Sequence, residues 1–182
     1  LNSKAAAALN RQMTAGEISK TYLAVTDVKR ESVLQKENAD TKEKEKAQMI
    51  CLTDWLCKDN KTNSSSVVPA GTAGGKKAVL YYKILESREV QGQKRCMVQI
   101  RLETGRHHQI RAQMSNAGMP LLGDSKYGSE RSKELSRDIG CKNVALCAYK
   151  LSFNHPITHK GMVFEKQPEE ELFDPFLNEG IL

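Results

Sequence analysis

The sequence predicts an α+β fold. Three observations carry this: short runs of period-two alternation recur from Lys20 to Lys166, two helix-like stretches with caps and glycine stops interrupt them, and the regular strand–helix alternation of a doubly wound sheet is missing. At 182 residues with 39% hydrophobic side chains the chain is long enough for one core, and residues 1–182 are read as one domain.

A first helix is expected over Lys4 to Met13. Ser3 can accept from a free N-terminal amide, the run Ala5 to Ala8 favours helix, Gly16 ends it, and Leu9 with Met13 forms an apolar edge. Lys20 to Thr26 (KTYLAVT) reads as a strand with Thr21, Leu23 and Val25 facing the core, which turns Tyr22 and Ala24 to the opposite side. Residues 29–48 carry nearly balanced charge and little to bury, so they are read as a charged loop or insertion. Asn60 to Gly75, rich in Ser, Thr, Asn and Gly, reads as an irregular connection.

Ala78 to Glu86 and Lys94 to Glu103 form a hairpin through Val90-Gln91-Gly92-Gln93. In its second strand Cys96, Val98, Ile100 and Leu102 share one face and Arg95, Met97, Gln99 and Arg101 the other, the mark of a sheet with one buried side. A second helix is expected from Arg106 to Ala117, capped by Thr104, striped by Ile110, Met114 and Ala117, and stopped by Gly118 and Pro120. Val144 to Phe153 and Met162 to Lys166 complete the strands around a turn at His155-Pro156, and no internal repeat is found.

Lys and Arg total 28 against 22 acids, a formal charge of +6 that suits a polyanionic partner. Five cysteines, odd in number and without a C-x-x-C pair or zinc-like His spacing, read as reduced thiols of a cytoplasmic protein. No run reaches the roughly 18 apolar residues of a membrane span. No metal site is predicted.

The chemistry concentrates in LETGRHHQIR, Leu102 to Arg111. A helix N-terminus offers free amides and positive potential, and Gly105 lets backbone approach a ligand, so Arg106 and this turn suit a phosphate or carboxylate. His107 and Arg111, four apart, are expected on one helix face, while the rings of His107 and His108 are expected about 100° apart, too divergent to chelate one ion.

Leu102 to Gly128, LETGRHHQIRAQMSNAGMPLLGDSKYG, resembles the T-G-R-x-H-Q-I-R and G-x-P-[LI]-x-G-D-x-x-Y-G signature of RluA-like RNA pseudouridine synthases. SKAAAALNRQM, the K-x-Y-x-A element at Lys20 to Ala24, and Ala145 to Pro156 are similar to further parts of that family. The resemblance implies a pseudouridine synthase-like α+β fold with a mixed, mainly antiparallel central sheet flanked by helices. It implies isomerisation of uridine to pseudouridine in RNA, ribosomal RNA in particular, with no metal or organic cofactor. Arg111 corresponds to the arginine paired with the nucleophilic aspartate, Tyr22 to the ring that packs on the target base, and Leu146 to the apolar lining of the uracil pocket. Arg106, His108 and Gln109 are expected at the substrate. The family's H-R-L-D motif is missing from this chain, so it is read as a partial catalytic domain, inactive alone, that self-associates through an exposed sheet edge. The alternative is a catalytically inactive RNA-binding relative.

Overall fold

The computed structural model describes residues 3–28, 49–90 and 92–177; the charged 29–48 segment lies outside the described residues. At its centre is β1 (Ser19–Asp27), which pairs antiparallel with β5 (Gln93–Leu102) on one side and β6 (Leu146–Asn154) on the other. With β2 (Ile50–Asp59), β3 (Ser64–Val68), β4 (Lys76–Val90) and β7 (Gly161–Glu165), these form one seven-stranded sheet in the order β3-β2-β4-β5-β1-β6-β7. Every pairing is antiparallel. The α+β class therefore holds, and among the described residues the sheet is antiparallel throughout rather than mixed.

The expectation of one buried side is corrected. Ala24, Leu80, Tyr82, Val98 and Ile100 are buried on one face under Ile110 and Met114 of α2 (Gln109–Asn116). Leu23, Val25 and Met97 are buried on the other beneath Leu135 of α3 (Glu130–Asp138) and Phe173 and Phe176, which belong to a 3₁₀ turn (Glu171–Phe173) and to α4 (Asp174–Leu177). Arg95 and Met97, read as outward, are only 4% and 0% exposed. Alternation showed the two faces, but only the packing of the C-terminal segments shows that both are covered. Each fully buried Leu or Phe contributes about 1.5–3 kcal/mol, so the second face is a large share of the stability.

Other elements differ from expectation for local reasons. In α1 (Ser3–Thr14) the buried stripe is Ala5, Ala8 and Gln12, while Met13 is exposed. Small alanines permit close approach, and the Gln12 amide exchanges two bonds with the backbone of Asn154, at 2.8 and 2.9 Å. Gly16, at φ 72°, ends the helix as expected. β2 has no counterpart in the sequence reading, and β3 lies inside the predicted irregular connection. Ser64–Val68 pairs with β2 through the backbone ladder, with Val67 packed against the cluster that holds its partner Leu56, and its serines give no periodic apolar signal. The β4–β5 hairpin, the β6–β7 pair and the His155 turn are where they were expected. No helix of the described residues is long and apolar enough to cross a membrane.

Candidate active-site cleft

The turn between β5 and α2 is laced onto β4 through one backbone position. The amides of Glu103 and Thr104 both donate to the Val79 carbonyl, at 3.1 and 3.2 Å, and the Val79 amide donates to Thr104 Oγ1 at 2.8 Å. Gln109 closes the knot: its Nε2 donates to Val79 O at 3.0 Å, and its Oε1 accepts from Thr104 Oγ1 at 2.9 Å and from the Arg106 amide at 2.8 Å. Thr104 therefore fastens the turn rather than capping the helix. The helix begins at Gln109, three residues later than expected, because His108 takes a left-handed conformation (φ 50°, ψ 27°).

That left-handed residue also corrects the two histidines. His107 lies outside the helix, so it does not share a helical face with Arg111, and the His107 and His108 rings stack at 3.9 Å instead of diverging. Ser65 of β3 donates its hydroxyl to the His107 carbonyl at 2.7 Å, so at 3.1 Å from Nδ1 the same oxygen acts as acceptor, which places the ring proton on Nδ1. Burial, followed by neighbouring charges including Lys126 and Arg111, holds both imidazoles below their ordinary value of 6.5. His108 Nδ1 sits 3.0 Å from the Tyr127 hydroxyl, and Lys126 donates to the carbonyls of Thr62 and Asn63, closing this loop onto the β2–β3 turn.

Arg111 lies on α2, over the sheet face that Tyr22 packs against. Its Nε and Nη2 donate to Asp124 at 2.7 and 2.6 Å, a bidentate pair, and its guanidinium lies 4.9 Å from the Tyr127 ring centroid. The hydrogen bond to Asp124 raises the Arg111 pKa. Burial pushes the Asp124 carboxyl up, but bonds from Arg111 and the amides of Tyr127 and Lys126 outweigh it and leave the carboxyl below its ordinary value. Asp124 also anchors its own loop, accepting from the amides of Lys126 and Tyr127 at 3.0 and 2.9 Å.

A cleft of about 590 Å³ opens where β1 begins and β5 ends, and Tyr22 and Arg106 both line it, with Lys20, Tyr81, Arg101 and Glu103. Arg106 is exposed there, its Nε held by the Lys77 carbonyl at 2.9 Å. Leu146 lies opposite Ala24 and packs against the same apolar cluster as Tyr22, without lining the cleft. Gln109 is 3% exposed and fully engaged in the turn, so it positions Arg106 from behind. Arg111 and His108 meet at Tyr127, outside the cleft. Tyr81, Arg101 and Glu103 escaped the sequence reading because single polar residues on strands look like ordinary solvated surface.

The family model for RNA pseudouridylate synthase matches residues 1–116. The chain belongs to that family. Among its relatives, ribosomal large subunit pseudouridine synthase D of Neisseria meningitidis (serogroup A) is 39% identical over 106 residues, covering 55% of this chain and 27% of that protein. The uncharacterized RNA pseudouridine synthase YlyB of Bacillus subtilis (strain 168) is 37% identical over 115 residues, covering 63% of this chain and 34% of the relative. The chain thus spans about a third or less of these relatives. Human RNA pseudouridylate synthase domain containing 1 superposes with a TM-score of 0.67 at 20% identity, over 92% of this chain and 62% of that one, and shares the fold. Within this synthase family, Tyr22, Arg106, His108, Gln109 and Arg111 fall inside the matched segment; Asp124, Tyr127 and Leu146 lie beyond it.

Proposed function

We propose that this chain is the part of an RNA pseudouridine synthase that supplies the tyrosine and arginine side of the uracil pocket, acting on uridine in ribosomal RNA. The observation that carries the proposal is the laced T-G-R turn, which brings Arg106 into one cleft with Tyr22 in a chain of this family. In the reaction the N1–C1′ bond of uridine breaks, the base turns, C5 bonds to C1′, C5 loses its proton and N1 gains one. The Tyr22 ring holds the extruded base and stands near the proton to be removed. Arg106 supports the flanking phosphate. Leu146 acts from behind, packed against the same apolar cluster as Tyr22.

In this reading the nucleophilic carboxylate belongs to an H-R-L-D segment, a motif the 182 residues do not contain. No aspartate lines the cleft among the described residues, and Asp124 is already held by Arg111. Arg111 lies outside the cleft and already holds Asp124, so for it to orient an incoming aspartate that pair has to open. The alternative, an inactive RNA-binding relative, is favoured by the same bidentate pair if that pair never opens. The location is cytoplasmic, and the apolar edge formed by Leu151, Val163 and Phe164 drives self-association.

The test is tritium release from C5-labelled uridine in RNA. None is expected from this chain alone and turnover from the whole gene product, with Tyr22→Phe lowering it by roughly 10²-fold or more. A whole gene product that binds uridine-containing RNA without releasing tritium establishes the inactive alternative.

A further inference from the structure

The cleft has a wall that the proposed reaction leaves unused. Tyr81 and Arg101 are cross-strand partners in the β4–β5 ladder, so their side chains leave the sheet on one side. The Arg101 guanidinium lies 5.2 Å from the Tyr81 ring centroid, within cation–π range. The Tyr81 hydroxyl donates to Glu103 Oε2 at 2.8 Å, which fixes the ring from its far end. Tyr81 is half-buried and Arg101 exposed, and all three line the cleft. The arrangement is a flat cation braced from below and open above.

Planar cations and aromatic faces are the surfaces on which unstacked bases rest. Position in the ladder adds a constraint. Tyr22 pairs with Ile100, the residue next to Arg101, so the two side chains leave opposite faces and meet only around the end of the sheet. Two neighbouring bases held at these positions are splayed apart, which is the separation that extruding one base from a stack produces.

We propose that Arg101, braced by Tyr81 and Glu103, is the stacking seat for the base adjacent to the uridine that Tyr22 faces. The proposal rests on the RNA reading above and sets a finer requirement: a single-stranded or looped RNA whose neighbouring base is held unstacked. A phosphate contact needs only charge, which lysine supplies. A stacking seat needs the plane, which lysine lacks.

The test measures binding of the chain to a short single-stranded RNA with one central uridine, and to the same RNA made abasic at the 5′ or the 3′ neighbour. Arg101→Ala and Arg101→Lys are both expected to weaken binding of the parent RNA, by roughly 5- to 100-fold, the range of base stacking. One abasic RNA is expected to bind the wild-type chain as weakly, and Arg101→Ala to cost nothing further on that RNA, the non-additivity of a direct contact. Because Arg101 is exposed, these variants keep the fold, which an unchanged melting temperature checks. Tyr81→Leu should reproduce the loss by removing the brace. Wild-type affinity in Arg101→Lys, or additive losses with both abasic RNAs, overturns the seat while leaving RNA binding intact. Failure of the wild-type chain to bind any of these RNAs at low salt removes the RNA reading and the seat with it.

Discussion

Two arginines show how differently one residue type behaves in this molecule. Arg111 gives Asp124 a matched fork of donors, whereas Arg95 is buried with Nε and Nη2 lacking any hydrogen-bond partner among the described residues, and burial lowers its pKa. Removing one member of a buried pair strands the other, so Arg111→Ala is expected to cost about 3 kcal/mol in urea denaturation. Arg95→Met should be neutral or raise the melting temperature, since it replaces a buried cation, two of whose nitrogens lack a hydrogen-bond partner among the described residues, with a side chain of similar length. A strong loss of stability in Arg95→Met would show that the guanidinium has an acceptor after all. The dense motif singled out Arg111 in the sequence, but its partner Asp124, thirteen residues on, came only from the structure. Arg95 was misread because alternation assigns a face without saying what covers it.

At the scale of elements, the Gly-Asp turn before α3 and the histidine turn before α2 hold the site together. Gly123 has φ 74°, and a Cβ there would fall 1.8 Å from the Asn143 carbonyl oxygen. Gly123→Ala is therefore expected to cost roughly 2–4 kcal/mol and to displace Asp124 from Arg111, visible as a lower melting temperature. The stacked histidines make a pH-dependent joint between β3 and the T-G-R turn. Both imidazoles have folded pKa values below 6.5, so above that pH neither state takes up a proton and the joint is at full strength. As pH falls through 6.5 the unfolded chain binds protons first, and stability declines until the folded values are reached. Melting curves between about pH 7.5 and 5.5, an interval set by roughly one unit around the ordinary histidine value, should show this decline. His107→Asn with His108→Asn should flatten it.

For the whole molecule, charge and the open sheet edges decide behaviour in solution. Every inner strand has two neighbours, so among the described strands the open edges of the sheet are β3 and β7. At β7, Val163 and Phe164 are 58% and 51% exposed, with Phe164 stacked on Phe153. Val163→Lys with Phe164→Lys is expected to shift sedimentation toward monomer at unchanged fold. With a net charge of +6, RNA affinity should fall steeply with salt, at a log–log slope of roughly −0.7 per phosphate contact on single strands. A salt-independent affinity would contradict an electrostatic RNA interface.

The sequence by itself determined the fold class, the first strand with Tyr22 turned away from Leu23, the β4–β5 hairpin and the T-G-R-x-H-Q-I-R motif with its glycine turn, because local periodicity and a dense motif are carried by neighbouring residues. Only the tertiary structure decided that both sheet faces are buried, that β2 and the serine-rich β3 extend the sheet, that Arg111 holds Asp124, and that Tyr81, Arg101 and Glu103 share a cleft with Tyr22. Those pairings join residues far apart in the chain, through backbone register and side-chain geometry that no local pattern records.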